Sequence, residues 1–147
     1  MFRIHLKAAK KTGLPVIIHT RDAEEDTLEI LKSEASPSLK GVLHCFSSRA
    51  FLATEALKLG FYVSASGIIT FGKAEELRQT FKEIPLERLL VETDSPYLSP
   101  VPFRGKTNRP SHVVKTAEKL AEIKGISVEE LSEITTRNFL TLFGKAV

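Results

Sequence analysis

The chain has 147 residues, and we expect residues 1–147 to form a single domain with its own hydrophobic core. A content of 42% hydrophobic and 27% charged residues, without repeats or low-complexity tracts, argues against disorder. The net charge of +3 suits a polyanionic substrate but is far from that of a dedicated nucleic-acid-binding tail.

No apolar run approaches the roughly 18 residues of a membrane-spanning helix. The charged residues near the start of the chain argue against a signal peptide. The single cysteine, Cys45, allows no intrachain disulfide. We therefore expect a cytoplasmic protein that does not contact a membrane.

Short apolar runs alternate along the chain with helical patterns. The first helix is predicted over residues 3–12 and ends at Gly13. The predicted strands are residues 15–19, 41–45, 61–66 and 89–93. The helices between them begin near Asp22 and cover residues 50–58 and 73–82. Such alternation predicts an α/β fold with a parallel sheet and right-handed crossovers.

The pattern changes after the fourth predicted strand. Residues 95–110 form a proline-rich loop that is too long for a simple connector, and long loops in compact domains are often functional. A helix is predicted over residues 111–124, and Ser127 begins a capping box for another helix. The tail, residues 138–143, is apolar enough to dock on the core.

Three of the predicted strands end in a residue that can bind a metal ion: His19, His44 and Asp94. Catalytic groups of parallel α/β barrels project from these carboxyl ends. Imidazole and carboxylate ligands bind zinc and similar cations and leave positions open for water, whose pKa the cation lowers. A lone buried histidine at a strand end is more often structural, but three such ends in one sheet predict a hydrolytic metal centre.

The neighbours of these residues allow more than one interpretation. Glu92 lies two residues before Asp94 on the same strand face, where it either orients a ligand or forms a buried ion pair. Cys45 follows His44 directly and is interpreted as a small packed residue. The candidates for phosphate binding are loop cations near the predicted strand tips, namely Arg21, Arg104 and Lys106. Such charges either neutralise phosphate oxygens or are simply solvated.

The chain contains five segments that occur in a fixed order: Leu14–Ala23, Gly41–Ser47, Tyr62–Ile68, Val91–Leu98 and Arg104–Asn108. Together they closely resemble the signature segments of the TatD family of metal-dependent deoxyribonucleases. Five motifs in the family's order are far more specific than any one of them. The resemblance extends from the first residues of the chain to the last.

The resemblance implies an amidohydrolase-like TIM barrel that hydrolyses phosphodiester bonds of DNA, in several members as a 3′ exonuclease on single strands. Two divalent ions, of Mg²⁺, Mn²⁺ or Zn²⁺, are implied for a complete site. By position, His19 and His44 match ligands of one metal ion. Asp94 matches a ligand of the other ion and is the implied catalytic residue, accepting a proton from the attacking water.

Two family features are absent from the sequence. Family members begin with a strand that ends in His-x-His and later carry a Gly-Glu-Ile-Gly segment whose glutamate bridges the metals. His5 has no such partner and is interpreted as a surface or packing residue. We therefore expect the chain to form the C-terminal half of a TIM (β/α)8 barrel, the last four of eight strands, with extra C-terminal helices. Complete barrels take about 250 residues.

A half barrel would expose two strand edges and an apolar inner face. The expected consequences are self-association, pairing with a separately encoded first half, or origin from a longer protein. The last is favoured because Met1 falls in a helix without an N-cap signal.

Two functions remain open. The chain is either part of an active metal-dependent deoxyribonuclease, or a non-catalytic remnant or interaction module that at most binds metal weakly. Related barrels also hydrolyse amides, esters and lactones, so the fold alone does not choose the substrate.

Overall fold

The computed structural model describes residues 1–145, which form one four-stranded parallel sheet with helices. The strands are β1 (Val16–Ile18), β2 (Gly41–Leu43), β3 (Tyr62–Ala65) and β4 (Leu89–Val91). The α-helices are α1 (Phe2–Thr12), α2 (Glu24–Glu34), α3 (Ala50–Lys58), α4 (Glu75–Glu83), α5 (Val113–Lys124) and α6 (Val128–Leu142). The strands pair in sequence order, β1-β2-β3-β4, so the predicted parallel α/β architecture is confirmed.

The predicted helix boundaries at Gly13, Gly125 and Ser127 agree with the structure because local chemistry determines them, whereas the helices predicted to begin near residues 22, 73 and 111 begin two residues later. Gly13 adopts a left-handed conformation after α1, and Gly125 does the same after α5. The side chain of Ser127 accepts a hydrogen bond from the backbone N–H of Glu130 and thereby caps α6. These signals involve neighbouring residues only, so they can be read without knowledge of the fold.

The strands are shorter than predicted because the chain turns earlier at their carboxyl ends. The strand predicted over residues 41–45 ends at Leu43, and Cys45 has a positive φ of 45°. The strand predicted over residues 89–93 ends at Val91, and Asp94 has a φ of 57°. Left-handed backbone at these positions redirects the chain directly above the sheet.

One face of the sheet packs against helices and forms the main hydrophobic core. Leu43, Val63 and Leu89 lie on this face and are fully buried. Alternate residues point to the opposite face, where Val42, Tyr62 and Leu90 form a second, smaller cluster with Leu142 of α6.

Part of that opposite face is open. Ile17 of β1 is 66% exposed, and a groove of about 640 Å³ lies between this part of the face and the exposed side of α6. The groove is lined mainly by apolar side chains, including Ile17, Val42, Leu90 and Phe139. Within residues 1–145, β1 pairs only with β2 and β4 only with β3, so both outer strands present an unpaired edge.

The C-terminal tail docks only in part. Leu142 is buried, but Phe139 and Leu140 remain 45% and 43% exposed. The docking is fixed by Asn138, whose side-chain amide donates to the carbonyls of Leu86 and Leu89 at 2.8 and 2.9 Å. None of the helices in the described part of the chain is long and apolar enough to cross a membrane.

Candidate metal centre

The carboxyl ends of the strands bring the predicted site residues to one edge of the sheet. The backbone N–H of His44 donates to the carbonyl of Ile18, and that of Glu92 donates to the carbonyl of Ala65. These bonds continue the ladders β1-β2 and β3-β4 by one step beyond the assigned strands. His44 and Glu92 are therefore fixed by backbone pairing, although neither belongs to a strand.

His19 and His44 contact each other through their ring nitrogens. Nδ1 of His19 lies 3.2 Å from Nε2 of His44, with the rings tilted by 44°. Two imidazole nitrogens bound to one zinc ion at tetrahedral geometry lie roughly 3.3 Å apart, given Zn–N bonds of about 2.0–2.1 Å. The separation of these two nitrogens therefore fits ligation of one cation by both histidines.

The other nitrogen of His44 contacts a carboxylate. Oε1 of Glu92 lies 3.1 Å from Nδ1 of His44, and both side chains are 23% exposed. Glu92 accepts the Nδ1–H of His44 and so leaves the Nε2 lone pair directed at the site. Carboxylates commonly orient metal-binding histidines in this way. Of the two roles considered for Glu92, the geometry favours the orientation of His44.

Asp94 completes the group. Candidate ligand atoms of His44, Glu92 and Asp94 all lie within 4.8 Å of one another, and all three residues are partly buried. His19 is exposed and reaches this group through its contact with His44. The two imidazoles and the Asp94 carboxylate, with Glu92 orienting His44, form a donor set suited to zinc or a similar divalent cation. The donor chemistry and the spacing therefore fit a metal ion.

Asn108 is a residue that the sequence analysis missed. It is 3% exposed, and its Nδ2 donates to the carbonyls of Thr93 and Tyr97 at 2.7 and 2.6 Å. Its Oδ1 accepts from the backbone N–H of Arg109 at 2.9 Å and lies 3.1 Å from Nδ1 of His112. Asn108 thus ties the loop on both sides of Asp94 to the segment that leads into α5. The sequence offered two signals, an asparagine in a long proline-rich loop and its place at the end of the segment Arg104–Asn108, but neither indicated these contacts.

The segment that follows β3 packs closely against the same loop. A Cβ added at Gly67 would collide with the carbonyl oxygen of Leu98 and lie 3.0 Å from the nitrogen of Pro100. Three residues further on, Oγ1 of Thr70 accepts the backbone N–H of Val101 at 2.9 Å. Glycine is required at residue 67 because the loop backbone approaches so closely.

Cys45 lies beside the group and is a packed residue, as expected. Its Sγ donates to Oγ of Ser66 at 3.2 Å, and burial raises the pKa of the Cys45 thiol to about 11. The nearby carboxylates of Asp94 and Glu92 raise this pKa further, whereas the hydrogen bond to Ser66 lowers it. A thiol with a raised pKa is a poor nucleophile and a poor ligand at neutral pH.

The predicted phosphate-binding cations lie at the surface around the loops. Nε of Arg21 is 3.8 Å from the carboxylate of Asp22, and the guanidinium of Arg104 stacks 3.7 Å above the ring of Phe71. Lys106 is exposed. Within residues 1–145, no hydrogen bond or salt bridge joins these cations to His44, Glu92 or Asp94. His5 is exposed on α1, as interpreted from the sequence.

Clustered histidines and carboxylates at the carboxyl ends of parallel strands are typical of one class of protein, the metal-dependent hydrolases built on α/β barrels. Residues 1–144 match the family described as TatD related DNase, and the chain belongs to this family.

Relatives extend this assignment. The protein YcfH of Escherichia coli K12, named an uncharacterized metal-dependent hydrolase, is 53% identical over 139 residues, which cover 95% of this chain and 52% of YcfH. YabD of Bacillus subtilis 168 bears the same description and is 48% identical over 143 residues, covering 97% and 56% of the two chains. The crystal structure of YjjV, a TatD homolog from Escherichia coli K12, matches with a TM-score of 0.87 and 32% identity, covering 95% of this chain and 53% of that one. The chain spans about half the length of these relatives.

Proposed function

We propose that this chain carries one part of the metal site of a TatD-type hydrolase that cleaves phosphodiester bonds of DNA. The observation that carries the proposal is the chain of side-chain contacts at the carboxyl edge of the sheet. His19 Nδ1 lies 3.2 Å from His44 Nε2, and His44 Nδ1 lies 3.1 Å from Glu92 Oε1. Asp94 stands beside them. The sheet would then be one half of a (β/α)8 barrel whose other strands lie outside this chain.

The side chains have distinct roles in this proposal. His19 and His44 hold a divalent cation through Nδ1 and Nε2, and Glu92 keeps His44 in the tautomer that binds. Asp94 contributes a carboxylate oxygen and accepts the proton of the attacking water as general base. The cation supplies Lewis acidity, which lowers the pKa of that water and offsets charge on phosphate oxygens.

DNA as substrate is supported by the family match and by the basic balance of the chain. The net charge is +3, and the loop after β4 carries Arg104 and Lys106 as exposed cations. Mg²⁺, Mn²⁺ and Zn²⁺ are the candidate ions, with two in a complete site.

The test is metal-dependent cleavage of single-stranded DNA together with direct titration of Mn²⁺ and Zn²⁺ by calorimetry. We expect His44→Ala and Asp94→Asn to abolish cleavage and to weaken metal binding. His5→Ala is the matched histidine control, since His5 is exposed on α1. Asp22→Asn is the matched aspartate control, because Asp22 is exposed and also has a positive φ, of 52°. Equal metal affinity in all four variants would refute the proposed site.

A second function is favoured by the open face of the sheet. The apolar groove and the two unpaired edges are features of an incomplete core. In this alternative the chain binds one cation and associates with a copy of itself or with a separate first half, without hydrolysis. Metal binding that His44→Ala removes, with no cleavage by the wild-type chain, would select this alternative.

A further inference from the structure

An exposed tyrosine lies three residues after Asp94, in the loop that follows the candidate metal centre. Tyr97 is 69% exposed, and its backbone N–H donates to the carbonyl of Asp94 at 2.9 Å. A turn closed by such a bond brings the two Cα atoms within about 7 Å of each other. The backbone of Tyr97 is therefore separated by a single turn from that of the proposed general base, Asp94.

The backbone beneath this ring is fixed. The side-chain amide of Asn108 donates to the carbonyl of Tyr97 at 2.6 Å. The backbone N–H of Asn108 donates to the carbonyl of Pro96 at 3.0 Å. Asn108 itself is buried. Because the backbone is already ordered, a ligand that stacks on Tyr97 needs to order only one short side chain. Such preorganisation lowers the entropic cost of binding.

The same loop is positively charged and free of carboxylates. No Asp or Glu occurs between Asp94 and Glu118. The exposed cations in this stretch of the loop are Arg104, Lys106 and Arg109. Within residues 1–145, none of these three forms a salt bridge. Arg104 is held in place by its stacking on Phe71. An aromatic ring combined with unpaired cations is the composition of surfaces that bind single-stranded nucleic acids.

We propose that residues 95–110, the platform loop, form a binding subsite for single-stranded nucleic acid in which Tyr97 stacks on an unpaired base. Arg104 and Lys106 lie along the sugar-phosphate backbone of the same strand. The inference rests on the proposed phosphodiester hydrolase function and names how its substrate is held. Stacking needs a free base face, which a duplex does not offer, so the platform loop selects single strands over duplexes.

The chain contains its own reporter for this interaction. It has two tyrosines and no tryptophan, and Tyr62 is 7% exposed. Quenching of tyrosine fluorescence by a short oligodeoxythymidylate therefore reports on Tyr97. We expect quenching in the wild-type chain and in Tyr62→Phe, and its loss in Tyr97→Phe.

Affinity is measured separately, by anisotropy of the labelled oligonucleotide. Tyr97→Phe keeps the stacking ring and should bind like the wild type. Tyr97→Ala should bind roughly 5- to 150-fold more weakly, the usual effect of removing one stacked aromatic ring. Val101→Ala is the matched control, because Val101 is a 47% exposed apolar residue of the same loop. An abasic oligonucleotide should bind equally to the wild type and to Tyr97→Ala.

Any one of three results would contradict the proposed role of the platform loop: wild-type affinity in Tyr97→Ala, a preference for duplex DNA, or no binding of either a DNA or an RNA single strand. The hydrolase proposal is tested independently of these results by cleavage of a small phosphodiester that carries no base. Loss of this cleavage in Asp94→Asn supports the hydrolase proposal, whether or not Tyr97 contributes to DNA binding. Failure of the subsite and failure of the hydrolase are thus distinguishable.

Discussion

The two faces of the sheet differ in what covers them. Leu43 on one face is fully buried under helices, whereas Ile17 on the other face is 66% exposed. The residues of both faces come from the same short parallel strands, so their types are alike. A parallel strand reads as a continuous apolar run only when both of its faces are buried. The open face is where the rest of the proposed barrel or a second copy would pack, and the covered face contains the side chains that stabilise residues 1–145.

The largest expected effect lies on the covered face. Leu43→Ala removes a fully buried side chain from the main core. We expect a loss of about 2–5 kcal/mol in the free energy of unfolding, the usual result of Leu→Ala in a packed core. Chemical denaturation followed by circular dichroism measures it. A loss below about 1 kcal/mol would mean that the helix-covered face is loosely packed.

Asn108→Ala is expected to come next, with a loss of about 1–3 kcal/mol, because it leaves buried carbonyls without a donor. The two carbonyls concerned belong to Thr93 and Tyr97, on either side of Asp94. The substitution should also weaken metal binding, since the loop that carries Asp94 loses its anchor. Asn138→Ala is the matched control: its amide also donates to two backbone carbonyls, those of Leu86 and Leu89, at the base of the sheet. It should destabilise the chain by a similar amount. If Asn138→Ala reduces metal affinity as much as Asn108→Ala does, the anchoring role of Asn108 is excluded.

These two asparagines also mark the limit of what the sequence predicts. The order of the elements follows from apolar runs, glycines and the Ser127 cap, all of which act over a few residues. His19, His44 and Asp94 can be placed at one edge because the carboxyl ends of parallel strands meet there. The contacts of Asn108 and Asn138 cannot be read in this way, since each joins segments whose approach depends on the complete fold. The assignment of His19, His44 and Asp94 as ligands stays a prediction until a metal ion is measured.

The open face should tolerate change. Ile17→Ala is expected to alter the free energy of unfolding by less than about 0.5 kcal/mol, because an exposed side chain loses little buried area. Ile17→Lys should be tolerated equally well and should reduce the binding of a hydrophobic dye to the groove. If either substitution destabilises the chain by as much as Leu43→Ala, or if stability depends on protein concentration, the face is buried against a second copy in solution.

The smallest effect is expected on the outer surface of the helices that cover the sheet. Glu55 of α3 lies 2.5 Å from Nζ of both Lys32 and Lys58. Hydrogen bonds from these two lysines lower the pKa of Glu55 to about 2 from an ordinary value of 4.5. A carboxyl group whose pKa is lowered by folding stabilises the folded state above its unfolded pKa, and this contribution is lost as the pH falls from 4.5 towards 2. The side chain of Glu55 is 24% exposed, so its ion pairs are partly screened by salt.

Thermal melts of the wild type and Glu55→Gln between neutral and acidic pH test this contribution. We expect Glu55→Gln to melt slightly lower at neutral pH, to approach the wild type as the acid limit is reached, and to differ less at high salt. Lys32→Gln removes one of the two partners and should give an intermediate result. A difference that persists unchanged at low pH would show that Glu55 acts through helix packing between α2 and α3. In that case the outer surface of α2 and α3 would stabilise the chain through packing, as the hydrophobic core does.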